Sequence, residues 1–371
     1  MNAPLEILIS RIQALQSTGN ALFPKGLFPA QRSNSIIGYQ RPDTTMFFSA
    51  IIAFTLQSVR KYVSPTSQQQ IDAIHDLVTA NYPDFQNKDG LKTYNFWKTK
   101  PSRHFPNGRW FHRFEHFRIP DDIDDTAFAY LTTSPTEEEL LWLKEKLSLH
   151  ANGTKLWIRN TYPEYKPLVA YSTWFGKNMY VEFDVSVLSN MLYCILHYKM
   201  PLNAHDEASF EYIRSVIETR RYIHAPFRCA HQYPRTPLII YHVTRLITAF
   251  DPPALRSVKD QLIGDTVNLL KITRNKMDRV LLATSLLRFG LQKTERITVE
   301  TFSEKDFKGF YFFIAGLLTA YENPLLYRLS GSPLAHMHWT CEAHCWTLLA
   351  EYEVLWNQQQ PIGALPLSNP S

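Results

Sequence analysis

Two kinds of helical periodicity alternate along this chain of 371 residues. One kind is apolar nearly all round, as in TTMFFSAIIAFTL and DVSVLSNMLYCILHY. The other carries charge on one broad face, as in TEEELLWLKEKLSLH. A helix that is apolar all round is buried, whereas a one-sided helix packs outside it. Six apolar segments alternating with charged ones therefore predict an all-α fold, and specifically an (α/α)6 toroid in which six inner helices are surrounded by six outer ones.

The same periodicity places the individual helices. They are expected at 5–15, 44–62, 67–81, 122–132, 136–149, 184–197, 206–220, 237–250, 255–273, 277–289, 307–321 and 333–356. Glycine is scarce beside proline, at 13 against 23, which disfavours tight hairpins, and alternating strand patterns are hard to find. We therefore expect a single toroid domain over residues 1–371, with 357–371 as a flexible C-terminal tail.

The lengths of the loops predict which end of such a toroid carries the function. The segments 16–43, 84–121, 151–183 and 222–236 are long, and each precedes an inner helix. Loops after inner helices are short, so the long loops share the end where the inner helices begin. Long loops in compact domains usually carry function, and we expect one pocket at that end.

Charge and hydropathy exclude several classes of protein. Lys and Arg number 39 against 34 Asp and Glu, a net charge of +5 without a basic block, which argues against a nucleic-acid partner. No run of about 18 uncharged apolar residues predicts a transmembrane segment, although peripheral contact with a membrane stays open. The first residues predict an amphipathic helix rather than a signal peptide. Four cysteines are too few for a disulfide framework and fit a reducing compartment, so we expect a cytoplasmic protein.

The most specific feature is a group of carboxylates at the start of an inner helix, in RIPDDIDDTAFAYL: Asp121, Asp122, Asp124 and Asp125. Aspartate is a favoured N-cap and is stabilised in a first helical turn, which accounts for about two of the four. Four crowded carboxylates repel one another, and crowding together with burial raises the pKa of at least one. We expect Asp122, Asp124 and Asp125 to titrate as a coupled set, with Asp124 holding the proton.

This segment resembles a known family. The residues DIDDTA at 122–127 are similar to the Asp-x-Asp-Asp-Thr-Ala motif of class II terpene cyclases, the group containing squalene–hopene cyclase and the protonation-initiated diterpene cyclases. Upstream, NGRW at 107–110 is similar to the Gly–Trp element before that motif, and SGSPLAHMHWT at 330–340 to the start of a late inner helix. The repeated Gln–Trp elements of hopene cyclases are not recognisable. Family members with this motif usually hold the pocket between two helical domains, whereas one toroid occupies all of this chain.

The resemblance implies an isomerase or lyase that cyclises a polyprenyl substrate. Asp124 would protonate a terminal alkene or an epoxide, and Asp122 and Asp125 would keep it protonated and oriented. An alkene is a very weak base, so the acid must be desolvated, and the carbocation needs an aromatic wall. The candidates for that wall are Trp110, Phe111, Tyr171, Trp174, Phe175, Tyr241 and Trp339.

A diphosphate group on the substrate would require cations at the same end of the toroid. Arg235, Lys177 and Arg118 lie in the segments expected there, and we name Arg235 as a substrate-binding candidate. Mg²⁺ is expected only with such a diphosphate, carried by the substrate instead of a protein cage.

Two other function classes remain open. An (α/α)6 glycosidase would use a carboxylate pair about 6.5–9.5 Å apart, such as Asp124 with Asp184 or Glu342. A non-catalytic toroid would bind a partner in its mouth, and the aspartates would then be exposed helix caps.

The segment 336–345 also invites a zinc site, because His338, Cys341 and Cys345 would share one face of a helix. Free cysteines are usually buried core residues, and the spacing fits no standard zinc motif. We therefore predict no protein-bound metal.

Overall fold

The computed structural model describes residues 3–100, 119–176, 179–292, 295–319 and 322–359. Within them the chain is mostly helical and also forms a small sheet. The helices are α1 (Ala3–Ala14), α2 (Met46–Val59), α3 (Pro65–Thr79), α4 (Ile123–Leu131), α5 (Glu137–Leu149), α6 (Val185–His197), α7 (Ala204–Glu218), α8 (Arg221–His224), α9 (Pro226–Cys229), α10 (Thr236–Phe250), α11 (Lys259–Ile272), α12 (Lys276–Arg288), α13 (Pro324–Ser330) and α14 (Glu342–Gln358). The strands are β1 (Ala30–Asn34), β2 (Tyr39–Asp43), β3 (Phe313–Gly316) and β4 (His336–Thr340).

Local capping explains where several helices begin. Thr136 and Glu139 form a reciprocal capping box at the start of α5, and Asn203 and Asp206 form another at the start of α7. Such boxes satisfy backbone N–H groups that have no partner inside the helix. Ten of the twelve predicted helices match helices of the structure within a few residues; the exceptions are 307–321 and the first part of 333–356.

Six of the apolar helices pack in a closed cycle. The contacting pairs are α2 with α4, α4 with α6, α6 with α10, α10 with α12, α12 with α14, and α14 with α2. Phe48 near the start of α2 contacts His344 near the start of α14, with ring centroids 5.4 Å apart. Phe54, farther along α2, contacts Tyr193 in the second half of α6 at 5.4 Å. We call the region around Phe48 and His344 the beginning end of the cycle, and the region around Phe54 and Tyr193 the terminal end.

Further helices pack against this cycle. Helix α1 contacts α3 and α14, α7 contacts α6, and α11 contacts both α10 and α12. Among the helices that the structure describes, none is both long enough and apolar enough to cross a lipid bilayer.

The four strands form an antiparallel sheet in the order β2-β1-β4-β3. The prediction of a helix at 307–321 is therefore wrong at β3, and the predicted helix at 333–356 begins only at Glu342. The segment 16–43, expected to be a loop, contains the hairpin of β1 and β2. Short apolar runs such as FYFFIAG suit a buried helix or a buried strand equally well, and pairing with distant segments decides between them.

The sheet lies against the beginning end of the cycle. Phe313 of β3 packs on Phe47 and Phe48 in the first turn of α2, each with ring centroids 5.0 Å apart. The N–H of Ile314 donates to the carbonyl of Gln232, in the segment before α10. The loops at this end are thus partly organised as a sheet that covers it.

Candidate active site

The acidic motif opens helix α4 as the sequence predicts. Asp122 is the N-cap, and its Oδ1 accepts hydrogen bonds from the backbone N–H groups of Asp124 at 3.0 Å and Asp125 at 2.8 Å. The backbone of Asp122 is extended and bridges Tyr94 on one side and Trp174 on the other. The first turn of α4 is therefore held between two loops of the beginning end.

Asp124 is almost completely buried, with 5% of its surface exposed. Asn190 of α6 donates from Nδ2 to Oδ1 of Asp124 at 2.6 Å, and the hydroxyl of Tyr233 donates to Oδ2. Desolvation raises the pKa of Asp124 to about 8, although both hydrogen bonds act to lower it. The carboxyl is thus protonated at neutral pH, and the anion left after proton transfer would already have two donors.

The two flanking aspartates are buried as well. Burial raises the pKa of Asp122 to about 6, and it raises the pKa of Asp125 well above the ordinary range. A hydrogen bond between the two carboxyl groups and the charge of Asp122 add to the rise for Asp125. The pKa values of all three aspartates are thus raised, with burial as the largest cause.

Asp121 has a different environment from the other three aspartates. Its carboxylate accepts hydrogen bonds from Asn87 Nδ2 and Thr93 Oγ1, both at 2.6 Å, and from Asn95 Nδ2 at 3.2 Å. All three donors lie in one loop, so hydrogen bonds to Asp121 hold that loop against the start of α4. Its role is structural.

Asn190 links Asp124 to helix α10. Its Oδ1 accepts a hydrogen bond from Arg245 Nη2 and lies 2.9 Å from Nδ1 of His242. Burial lowers the pKa of His242, and the nearby guanidinium of Arg245 lowers it further, so the imidazole is neutral. The two hydrogen-bond donors to the acid are therefore neutral, and the cation lies one side chain farther away.

Aromatic rings pack around Tyr233, whose hydroxyl donates to Asp124. The ring of Tyr233 lies 5.8 Å from Phe312 and 6.2 Å from Phe47, and Phe47 lies 5.6 Å from Phe128 of α4. All four rings are buried. The polar contacts of the acid are consequently backed, on the Tyr233 side, by a group of buried aromatic rings.

The predicted aromatic wall is only partly assembled there. Trp174 and Phe175 lie beside the motif through backbone contacts with Asp122 and Asp121. The Tyr171 hydroxyl instead donates to Asp206 at 3.0 Å, against α7. Trp110 and Phe111, like Arg118 and Lys177, lie outside the described residues.

Tyr241 and Trp339 make other contacts. The Tyr241 hydroxyl donates to Glu351 at 2.7 Å, towards the terminal end of the cycle. Trp339 belongs to strand β4, donates to Asp43 at 2.9 Å, and stacks on Phe313. Both are core residues in this arrangement, because their polar atoms are satisfied by buried carboxylates.

Arg235 lies at the predicted end but is already paired. Its guanidinium contacts the Asp278 carboxylate and donates to the carbonyl of Tyr311 at 2.8 Å. Asp278 occupies the first turn of α12, so the pair joins the beginnings of α10 and α12. A substrate phosphate would have to compete with that carboxylate.

The segment 336–345, where a zinc site was considered, does not form one helical face. His338 lies in β4 and stacks on Tyr311 with ring centroids 4.0 Å apart, while Cys341 is the N-cap of α14 and Cys345 lies inside it. The described part of the chain contains no group of three His, Cys, Asp or Glu side chains that could hold a metal ion. The four cysteines are buried and free.

The sequence alone did not identify Tyr233, His242 and Arg245 as neighbours of the acid. A usable signal lay in PLIIYHVTRLI, where His242 and Arg245 are spaced by one helical turn. Polar side chains in a buried helix need hydrogen-bond partners, and such partners often form a site.

Comparison with protein-family models, curated proteins and solved structures finds no match to this chain.

Proposed function

We propose that this protein is an enzyme similar to class II terpene cyclases, in which Asp124 starts the cyclisation of a polyprenyl substrate by protonating it. The observation that carries the proposal is the state of Asp124: a buried carboxyl with a pKa raised to about 8 and a hydrogen-bond donor at each oxygen. An acid that must protonate an alkene needs this combination of desolvation and prepared anion stabilisation.

The proposed reaction needs one acid, Asp124, which gives up a proton at the start and regains one at the end. Asp124 transfers its proton to a terminal alkene carbon, or to an epoxide oxygen, and a carbocation forms at the adjacent carbon. The next double bond attacks that carbon, which makes a ring bond and moves the cation along the chain. Loss of a proton or capture of water ends the sequence, and Asp124 regains a proton from solvent.

Asn190 and Tyr233 would stabilise the aspartate anion during the reaction, because both donate to its carboxyl oxygens. The rings of Phe47, Phe128 and Phe312 would face the cation, and such contacts supply about 2 kcal/mol or more when desolvated. Since these rings are packed together, substrate binding requires them to move apart.

The proposed architecture is a single (α/α)6 toroid whose reactive end is the beginning end. The closed cycle of α2, α4, α6, α10, α12 and α14 supports this, since these are the helices predicted as inner ones. Mg²⁺ enters the proposal only if the substrate carries a diphosphate. Because the proposed substrate is hydrophobic, peripheral contact of the protein with a membrane belongs to the same proposal.

The alternatives find less support. Asp184 accepts hydrogen bonds from the backbone N–H groups of Ser186 and Val187 at 2.8 and 3.2 Å, as the N-cap of α6. Glu342 accepts from the indole of Trp346 at 3.0 Å. Both carboxylates are thus already engaged in local hydrogen bonds at the starts of their helices. A partner-binding toroid would leave the aspartates of α4 exposed, and they are buried.

The test is incubation of the protein in D₂O with linear polyprenyl substrates of several lengths, with and without a diphosphate, followed by mass spectrometry of extracted products. Cyclised product carrying one added deuterium is expected, because the initiating proton comes from solvent through Asp124. The proposal fails if no substrate is cyclised, or if Asp124→Asn cyclises as fast as the wild type. Asp72→Asn, which alters an exposed ion pair with Arg60, is the matched control.

A further inference from the structure

A cavity of about 170 Å³ lies at the terminal end of the helix cycle. It is lined by side chains from five of the six helices of that cycle: Phe54, Tyr193, Arg245, Arg288 and Glu351. Exposed Lys61 and Tyr62 also line it, next to α2. The cavity is distinct from the Asp124 site, because Asn190 separates Arg245 from the acid.

Arg245 is the unusual member of this lining. It is 3% exposed, and no carboxylate pairs with it among the described residues. Its Nη2 is bonded to Asn190, whereas Nη1 is buried without a hydrogen-bond partner. Its guanidinium carbon lies 5.2 Å from the ring centre of Phe54 and 5.9 Å from that of Tyr193. A buried guanidinium normally has an anionic partner, because desolvating the charge is costly.

Arg288 lines the same cavity and carries a second N–H without a protein partner in the described part of the chain. Its Nη2 pairs with Glu351, but its Nε is buried and has no hydrogen-bond partner. We propose that the cavity binds a small carboxylate of about the size of benzoate, with the free N–H groups of Arg245 and Arg288 directed to its two oxygens.

Size and charge both favour this class of ligand. A cavity of about 150 Å³ can hold one benzene molecule, so about 170 Å³ suits a single ring or short aliphatic body with one carboxylate. Val59 and Leu355 add apolar surface beside the aromatic rings. A phosphate dianion would need more donors and less apolar wall.

Two features of the cavity disfavour the binding of an anion. Helix C-termini carry a partial negative charge, worth about 0.3–1 kcal/mol each at exposed sites. Glu351 is also present, but its carboxylate is matched by Arg288 and accepts the hydroxyl of Tyr241. With Glu351 balanced, Arg245 and Lys61 leave the cavity lining positively charged.

The test is a titration of the full chain with benzoate, benzamide and inorganic phosphate, followed by NMR and calorimetry. Benzoate should bind with a Kd on the order of 1 mM or tighter, and neutral benzamide at least about tenfold more weakly. Arg245→Met should weaken benzoate binding at least about tenfold and leave benzamide unchanged. Equal binding of benzamide, tighter binding of phosphate, or no binding of benzoate would each overturn the proposal.

A second variant keeps the test decisive if Arg245→Met does not fold, as judged by circular dichroism. Leu355 lines the cavity from α14 and is half-buried, so Leu355→Trp should fill it and leave both guanidinium groups in place. Loss of benzoate binding in this variant supports the cavity as the site, and unchanged binding contradicts it. Neither readout depends on terpene cyclisation.

Discussion

The two ends of the helix cycle hold buried ionisable groups of opposite kinds. At the beginning end, Asp124 is covered by loops and a sheet, and burial raises its pKa to about 8. At the terminal end, Arg245 lies in a cavity that other charged side chains line. Asn190 stands between them, donating to the acid and accepting from the cation. A direct ion pair between Asp124 and Arg245 would lower the pKa of the acid, so the neutral spacer preserves its proton.

The first prediction concerns catalysis at the beginning end, and its expected effect is the largest. Asp124→Asn should reduce turnover of a cyclised substrate by about 100- to 10,000-fold, because positioned general acids contribute on that scale. Substrate-dependent kcat measured by product analysis is the readout. The control variant Asp72→Asn should keep wild-type turnover, and an equal loss in both would show that the assay reports folding instead.

The second prediction concerns the terminal end and stability. Glu351→Gln leaves the buried guanidinium of Arg288 without its carboxylate, which should lower the free energy of unfolding by about 3 kcal/mol or more. Removing the exposed pair of Arg60 and Asp72 through Asp72→Asn should cost less than about 1 kcal/mol. Urea unfolding followed by circular dichroism measures both. Equal costs would mean that the interior pair is hydrated.

The third prediction tests the spacer itself. Asn190→Ala removes a donor that stabilises the ionised form of Asp124, so the pKa of the acid should rise further, by about one unit. The alkaline limb of kcat against pH should therefore move upward and kcat should fall. Ser189→Ala is the control, since its hydroxyl bonds only within α6, to the Val185 carbonyl at 2.7 Å. A downward shift would mean that the charge of Arg245 then reaches the acid.

The sequence predicts the beginning end better than the rest of the molecule. Asp122, Asp124 and Asp125 are adjacent in the chain, and a local motif places them at a helix start. Their partners Asn190 and Tyr233 lie 66 and 109 residues from Asp124, so periodicity cannot reveal which atoms meet. The same limit explains Arg235, which the sequence names as a substrate-binding candidate and which is paired with Asp278, 43 residues away.

The sheet shows where local patterns mislead about fold. Strand β4 pairs with β3 nearby but also with β1, in the register Arg32 opposite Trp339. An apolar, aromatic segment such as 310–316 has no helical stripe and no clean alternation, because both of its faces are covered. Charged helices with caps, such as α5 and α7, were predictable since their signals are local.

The last prediction tests whether Asp124 is protonated in the folded protein, from the pH dependence of the free energy of unfolding and without any substrate. The unfolded pKa is about 3.9, and the folded pKa is raised to about 8. Between these values the folded protein holds a proton that the unfolded chain lacks, so unfolding releases it. The free energy of unfolding contributed by this group therefore falls as pH rises, by up to about 1.4 kcal/mol per unit, and levels off above pH 8.

Other buried groups set the window for this measurement. Burial lowers the pKa of His231 and His344 to about 3, so both imidazoles are neutral in the folded protein. Below about pH 6.5 the unfolded histidines take up protons, and the free energy of unfolding then falls. Burial raises the pKa of Glu182 to about 8, but that carboxyl is common to the wild type and Asp124→Asn. Urea unfolding of both proteins between about pH 6.5 and 8 should therefore show the wild type losing about 1.5 kcal/mol more than the variant. Parallel pH profiles would mean that Asp124 is ionised in the folded protein, and the contrast between a neutral acid at one end and a charged cation at the other would not hold.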